Sequence, residues 1–86
     1  MKDIIGYHTS EIAKGQLGEL SKIQEELSEA FDAESQDAKI MVLLELSDMI
    51  GAVSLYLDKH HPGTTLEDLI IMSKITKRAF DSGVRS

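Results

Sequence analysis

The sequence of 86 residues contains no cysteine and no tryptophan, and it has a single proline. Without thiols the chain can form neither disulfides nor a thiolate metal site, and cysteine usage says nothing about the redox compartment. A chain this short buries a limited share of its surface, so a monomer would have low stability. We therefore expect one small domain that completes its core by self-association.

Basic residues are also scarce, because nine lysines and arginines stand against fifteen acidic residues, giving a net charge of −6. Such a surface repels nucleic acid, and no basic stripe interleaved with aromatic residues offsets that repulsion. Residues 1–5 contain an early acid, Asp3, and far too short an apolar run for a signal peptide, and no segment approaches the roughly 18 apolar residues of a membrane span. We expect a cytoplasmic protein that has neither nucleic acid nor a membrane as partner.

Apolar residues recur at three- and four-residue steps in three segments, which predicts an all-α fold. We expect an N-terminal arm over residues 1–15 and a single helical domain over residues 16–86. The helices are predicted over three ranges, about 16–33, 38–59 and 65–81. Thr65 and Asp68 form a variant of the capping box at the start of the third helix.

The second predicted helix is apolar nearly all round, which is typical of a helix that is buried on most sides. Two partner helices from so short a chain can hardly cover it, so a second copy of the chain is the economical explanation. We expect antiparallel helices in a four-helix-type bundle that is completed by oligomerisation. The pattern does not distinguish a homodimer from a homotetramer.

Two acidic pairs are the most informative feature of the sequence. Glu26 and Glu29 lie three residues apart on the first helix, and Glu45 and Asp48 lie three residues apart on the second. Residues with this spacing share a helix face, so each pair can converge on one point, and antiparallel packing can join the two points. Ligands that are all oxygen favour a hard cation, Mg²⁺ or Mn²⁺, over zinc.

The acidic residues differ in how strongly the sequence predicts that their carboxylates are buried. Glu45 and Asp48 fall among apolar residues of their helix, where uncompensated carboxylates are costly, so this pair requires a cation. Glu26 and Glu29 lie at the margin of the apolar stripe of the first helix. The remaining acids of that region are expected on a solvated face: Glu19, Glu25, Asp32 and Glu34.

Residues 18–29, followed by Glu45-Leu46-Ser47-Asp48, resemble the all-alpha NTP pyrophosphatase superfamily in its MazG-like branch. The family signature is E-x-x-E, a spacer of variable length and E-x-x-D, and here fifteen residues separate the two pairs. The resemblance covers about residues 16–80. It implies Mg²⁺-dependent hydrolysis of a nucleoside triphosphate between the α and β phosphates. The implied metal ligands are the two acidic pairs, Glu26, Glu29, Glu45 and Asp48.

A bound Mg²⁺ would neutralise phosphate charge and activate a water, for which Glu25 or Glu26 is the candidate general base. Positive side chains would hold the distal phosphates. Lys22 lies one turn before Glu26, where it can either reach the phosphates or form an ion pair with Glu26. A basic cluster on the third helix either binds phosphates, as the resemblance implies, or is a solvated last turn: Lys74, Lys77 and Arg78.

The histidines have simpler interpretations. His60 and His61 adjoin a proline at a helix end, where they complement the helix dipole. Tyr7 and His8 on the arm either pack or stack on a nucleotide base.

Three functional hypotheses remain open at this point. The first is a MazG-like pyrophosphohydrolase acting on a canonical or modified nucleotide. The second is phosphoribosyl-ATP pyrophosphohydrolase, which belongs to the same superfamily and suits the same motif. The third is a non-catalytic helical dimerisation module whose acids are only surface charges.

Overall fold

The computed structural model describes residues 8–83, which form three α-helices and no strand, so the predicted all-α class is confirmed. The helices are α1 (Leu20–Ser35), α2 (Lys39–His60) and α3 (Leu66–Asp81). Residues 8–15 have no regular secondary structure. α1 begins later than predicted because the chain turns just before it, where Glu19 N–H donates to the Gln16 carbonyl and Gly18 has φ 83°.

α1 and α2 pack extensively against each other and are joined by a short turn. Their antiparallel arrangement is fixed at the far end, where Glu19 before α1 meets the last turn of α2. Glu19 forms an ion pair with Lys59, and its Oε1 lies 3.0 Å from His60 Nε2. His60 therefore lies in the last turn of α2, which is the position from which a histidine can complement the helix dipole.

The apolar core between the helices is small, and most of its side chains are alanines. Ala30 and Ala33 of α1 and Ala52 and Leu57 of α2 are the buried apolar residues of the described chain. Alanines at the contact allow the two helix axes to approach closely. Six of the large apolar side chains of α2 are exposed: Ile40, Leu43, Leu44, Leu46, Ile50 and Leu55. A single chain therefore leaves much of its apolar surface uncovered.

α2 is long and apolar enough to cross a membrane by length and composition, over Lys39–His60. This corrects the expectation that no segment approaches such a length, which counted only uninterrupted apolar residues. Core helices of water-soluble domains have the same properties, so length and composition alone do not place α2 in lipid. Glu45 and Asp48 lie near its middle, where carboxylates are costly in a lipid environment.

α3 contacts α2 only slightly, does not contact α1, and has no buried residue. Its start is held by the predicted capping box, which is confirmed. Asp68 N–H donates to Thr65 Oγ1 at 3.1 Å, and Thr65 N–H donates to Asp68 Oδ2 at 2.9 Å.

Removing this cap is expected to loosen α3 without unfolding the pair α1–α2. The Thr65→Ala substitution should cost about 1 kcal/mol, which corresponds to an increase of about fivefold in amide hydrogen exchange across α3. Thr65→Ser, which keeps the acceptor oxygen, is the matched control and should exchange like the wild type. Unchanged exchange in Thr65→Ala would show that the cap does not limit the opening of α3.

Candidate metal centre

Carboxylates of both acidic pairs come together between α1 and α2. Ligand atoms of Glu26, Glu45 and Asp48 lie within 4.8 Å of one another, and the same limit holds for a group formed by Glu25, Glu26 and Glu29. The spacing of three residues on each helix places the members of each pair on one face, and antiparallel packing brings the faces together. Glu26 belongs to both groups and links them.

Each acidic pair has one buried member and one more exposed member, because burial depends on how close each carboxylate lies to the α1–α2 interface. Glu26 and Glu45 are 6% and 4% exposed, whereas Glu29 is partly exposed and Asp48 is exposed. The expectation that α2 leaves its acids little water is therefore right for Glu45 and wrong for Asp48. Asp48 lies at the side of the α1–α2 contact, where it lines an open groove.

The groove beside the carboxylates has a volume of about 310 Å³, at the lower end of the range for small-molecule sites. Its lining combines charge with apolar surface, since Lys22, Glu26 and Asp48 lie there together with Leu17 and Leu55. The groove therefore places a positive side chain, two carboxylates and apolar surface next to one another.

The carboxylates repel one another, and their pKa values reflect this. Burial, and then the negative charge of Glu26, raise the pKa of Glu29 to about 7. Burial and the charge of Asp48 raise the pKa of Glu45 as well. Within residues 8–83, the buried Oε1 atom of Glu26 has no hydrogen-bond partner. An orphaned oxygen among crowded carboxylates fits a divalent cation, because a cation both satisfies the oxygen and removes the repulsion.

This repulsion predicts how the metal-free protein responds to pH. The folded-state pKa of Glu29, about 7, exceeds its ordinary value of 4.5. Proton binding by Glu29 therefore stabilises the fold fully below 4.5, and the contribution is lost as pH rises through about 7. In thermal denaturation with a chelator, the midpoint should be higher at about pH 6 than at about pH 8. Glu29→Gln should flatten this dependence, and a higher midpoint at the alkaline pH would contradict it.

Glu25 was expected on a solvated face, and this is wrong, since it is 4% exposed. The arm and α1 supply its partners: Gly15 N–H donates to Oε1 at 2.8 Å, and Lys22 Nζ lies 3.2 Å from the same oxygen. Burial raises the pKa of Glu25, but these two partners together with Lys14 outweigh it, so the pKa lies below its ordinary value. A carboxylate held in this way is a poor proton acceptor.

Gly15 is the residue that lets the arm reach Glu25. A Cβ atom built at this position would lie 2.1 Å from the carbonyl oxygen of Ser21, which belongs to the backbone of α1. Only glycine fits so close to another backbone, and the approach is what places its N–H on the carboxylate.

Lys22 forms the ion pair that was one of the two predicted roles for this position. Its Nζ lies 3.4 Å from Glu26 Oε2, which is the predicted i, i+4 ion pair, and this contact also places the ammonium at the carboxylate centre. The basic cluster of α3 is not part of the groove lining, and α3 does not contact α1. Its members are exposed, and one of them pairs with Asp81 on its own helix: Lys74, Lys77 and Arg78.

Asp32 was also expected on a solvated face, and it is 4% exposed. Its carboxylate holds the arm against α1, accepting hydrogen bonds from His8 Nδ1 at 2.8 Å, Thr9 N–H at 3.0 Å and Ser10 N–H at 3.0 Å. Gln36 Nε2 also donates to it, at 3.0 Å. Burial raises the pKa of Asp32, but the hydrogen bonds from the arm outweigh it and hold the pKa well below its ordinary value.

His8 is the residue of this centre that sequence reasoning missed. Its Nε2 lies 3.6 Å from Glu45 Oε2 and 3.9 Å from Glu29 Oε1. His8 was expected to pack or to stack on a base, because an isolated histidine on an irregular arm has no periodicity that could link it to a helix face. Its neighbour Tyr7 lies outside the described residues.

Comparison of the chain with family models, with curated proteins and with solved structures gives no match. The resemblance to the all-alpha NTP pyrophosphatase superfamily therefore rests on the acidic motif, its spacing and its helical setting.

Proposed function

We propose that this protein is a Mg²⁺-dependent pyrophosphohydrolase that cleaves a nucleoside triphosphate between the α and β phosphates, releasing a monophosphate and pyrophosphate. The observation that carries the proposal is the convergence of Glu26, Glu45 and Asp48 within 4.8 Å, with a buried oxygen of Glu26 that lacks a hydrogen-bond partner among the described residues. Structural stability alone does not account for three carboxylates at this separation, because their repulsion destabilises the metal-free fold.

The residues that would hold the cation are the two motif pairs, Glu26, Glu29, Glu45 and Asp48. Their ligand atoms are all carboxylate oxygens, which suit Mg²⁺ and also accept Mn²⁺. When bound, the cation would supply charge neutralisation at the phosphates and a water of lowered pKa. Four carboxylates carry enough negative charge for more than one ion.

Side chains of the site would also contact the phosphates, position the arm and act as the general base. Lys22 lines the groove beside Glu26, where its ammonium can contact phosphate oxygens. Glu25 is held by Gly15 N–H and Lys22, so it positions the arm and the ammonium. Of the two candidates for the general base, this leaves Glu26, whose Oε1 faces no donor among residues 8–83.

The exposed apolar face of α2 supports self-association as part of the proposal. Ile40, Leu43 and Ile50 are 75%, 64% and 53% exposed in the single chain. Contiguous apolar surface of this kind marks an interface in a water-soluble protein. A second copy would cover it and give the four-helix-type bundle, as a homodimer or a homotetramer. In such an assembly the exposed cations of α3 are available to bind distal phosphates: Lys74, Lys77 and Arg78.

A panel of nucleotides with pyrophosphate detection tests the proposal, with and without Mg²⁺. Mg²⁺-dependent release from one or more canonical or modified nucleoside triphosphates is expected. Release from phosphoribosyl-ATP alone would instead assign the chain to the related branch of the superfamily. No release from any nucleotide in the presence of Mg²⁺ would favour a non-catalytic dimerisation module. Glu34→Gln, which changes an exposed acid of α1, is the matched control and should behave like the wild type.

A further inference from the structure

His8 and two carboxylates form a cluster on the arm side of the metal centre. Ligand atoms of His8, Glu29 and Glu45 lie within 4.8 Å of one another. The distances from His8 Nε2, 3.6 Å to Glu45 and 3.9 Å to Glu29, exceed those of good hydrogen bonds. Two ligand bonds of about 2.1 Å that meet at roughly 90–135° separate their ligand atoms by about 3.0–3.9 Å. The spacing therefore suits one cation between these atoms.

Asp32 determines which nitrogen of His8 faces the carboxylates. The ionised carboxylate of Asp32 can only accept hydrogen bonds, so Nδ1, at 2.8 Å, carries the hydrogen. In the neutral ring this leaves a lone pair on Nε2, directed at Glu29 and Glu45. A carboxylate that orients a histidine through its second nitrogen is the usual arrangement around metal-ligating histidines.

A second observation at the same place also indicates a ligand. Glu26 is 6% exposed, belongs to one group with Glu29 and to another with Glu45, and its buried Oε1 has no hydrogen-bond partner among residues 8–83. The cluster thus adjoins a buried carboxylate whose Oε2 pairs with Lys22, while its Oε1 has no hydrogen-bond partner among the described residues. Glu45 is a member of both the all-oxygen group and the group that contains His8.

We propose that His8, Glu29 and Glu45 form a second cation position, and that its nitrogen ligand selects a first-row transition ion such as Mn²⁺ over Mg²⁺. Imidazole binds transition ions in preference to Mg²⁺, whereas a set of carboxylates alone suits both. The position rests on the metal-binding part of the proposed function and does not depend on nucleotide hydrolysis. Asp32 is its positioning residue, since it fixes the ring and the tautomer of His8.

Pulsed electron paramagnetic resonance of the full chain loaded with Mn²⁺ tests this position directly. A histidine nitrogen bound to Mn²⁺ gives a ¹⁴N modulation, which we expect in the wild type. The modulation should be lost in His8→Gln and kept in His61→Gln, which alters an exposed histidine away from the centre. A wild-type spectrum without ¹⁴N coupling would overturn the inference, and so would a coupling that persists in His8→Gln.

Calorimetric titrations with Mn²⁺ and with Mg²⁺ give the selectivity. His8→Gln should weaken Mn²⁺ binding by about 10–100-fold, and Asp32→Asn by about 10-fold, with a much smaller effect on Mg²⁺ in both variants. Equal losses of affinity for the two ions would overturn the inference. They would show that His8 only holds the arm against α1. If the wild type binds Mg²⁺ but shows no ¹⁴N coupling, this inference fails alone. If it binds neither ion, the proposed function fails as well.

Discussion

Replacing Glu45 by glutamine is expected to lower pyrophosphate release by about a thousandfold or more, while the helical content stays unchanged. Glu45 is 4% exposed and belongs to two of the three groups of potential ligands. The amide keeps the shape of the side chain but removes the negative charge that a cation needs. Turnover under saturating Mg²⁺ and the circular dichroism spectrum are the two measurements.

The same substitution separates a catalytic role from a structural one. Burial and Asp48 raise the pKa of Glu45, which means that its charged form is disfavoured in the fold. The metal-free Glu45→Gln variant should therefore melt no lower than the metal-free wild type. Turnover close to that of the Glu34→Gln control, or a markedly lower melting temperature without metal, would contradict the assignment.

If copies of the chain associate through α2 as proposed, placing a charge at Ile50 is expected to dissociate them. Ile50 is 53% exposed in the single chain and lies on the part of α2 that α1 does not cover. In an interface between copies, aspartate at this position would bury an unpaired charge, which should raise the dissociation constant by about 100-fold or more. Sedimentation equilibrium measures the effect on the wild type and on Ile50→Asp.

The control for this substitution is Ile50→Val, which keeps an apolar side chain and should retain the mass of the wild type. The wild type should sediment with at least twice the mass of a single chain, 9.5 kDa. A wild-type mass near that of one chain at micromolar concentration would refute self-association, and the exposed face of α2 would then need another occupant.

The helices and the meeting of the acidic pairs were predictable because both follow from local periodicity. Apolar steps of three and four residues predict α1, α2 and α3, and the Thr65–Asp68 cap marks the start of α3. The spacing within each acidic pair and the short connection between α1 and α2 then predict that the carboxylates converge. No tertiary information is needed for these steps.

The burial of individual acids was not predictable, because it depends on which segment folds back on them. Glu25, Asp32 and Glu34 all lie on α1 and look equivalent in the sequence, yet only Glu34 is exposed. The arm covers both buried side chains: Gly15 contacts Glu25, and residues 8–10 contact Asp32. An irregular segment carries no period from which such contacts can be inferred, and His8 was missed for the same reason.

Calorimetric titration of Mg²⁺ into the metal-free protein tests the proposed metal centre most directly. The proposed centre predicts saturable binding in the wild type and in Glu34→Gln, and loss of that binding in the double variant Glu26→Gln/Glu45→Gln. Absence of saturable binding in the wild type, or unchanged affinity in the double variant, would contradict it.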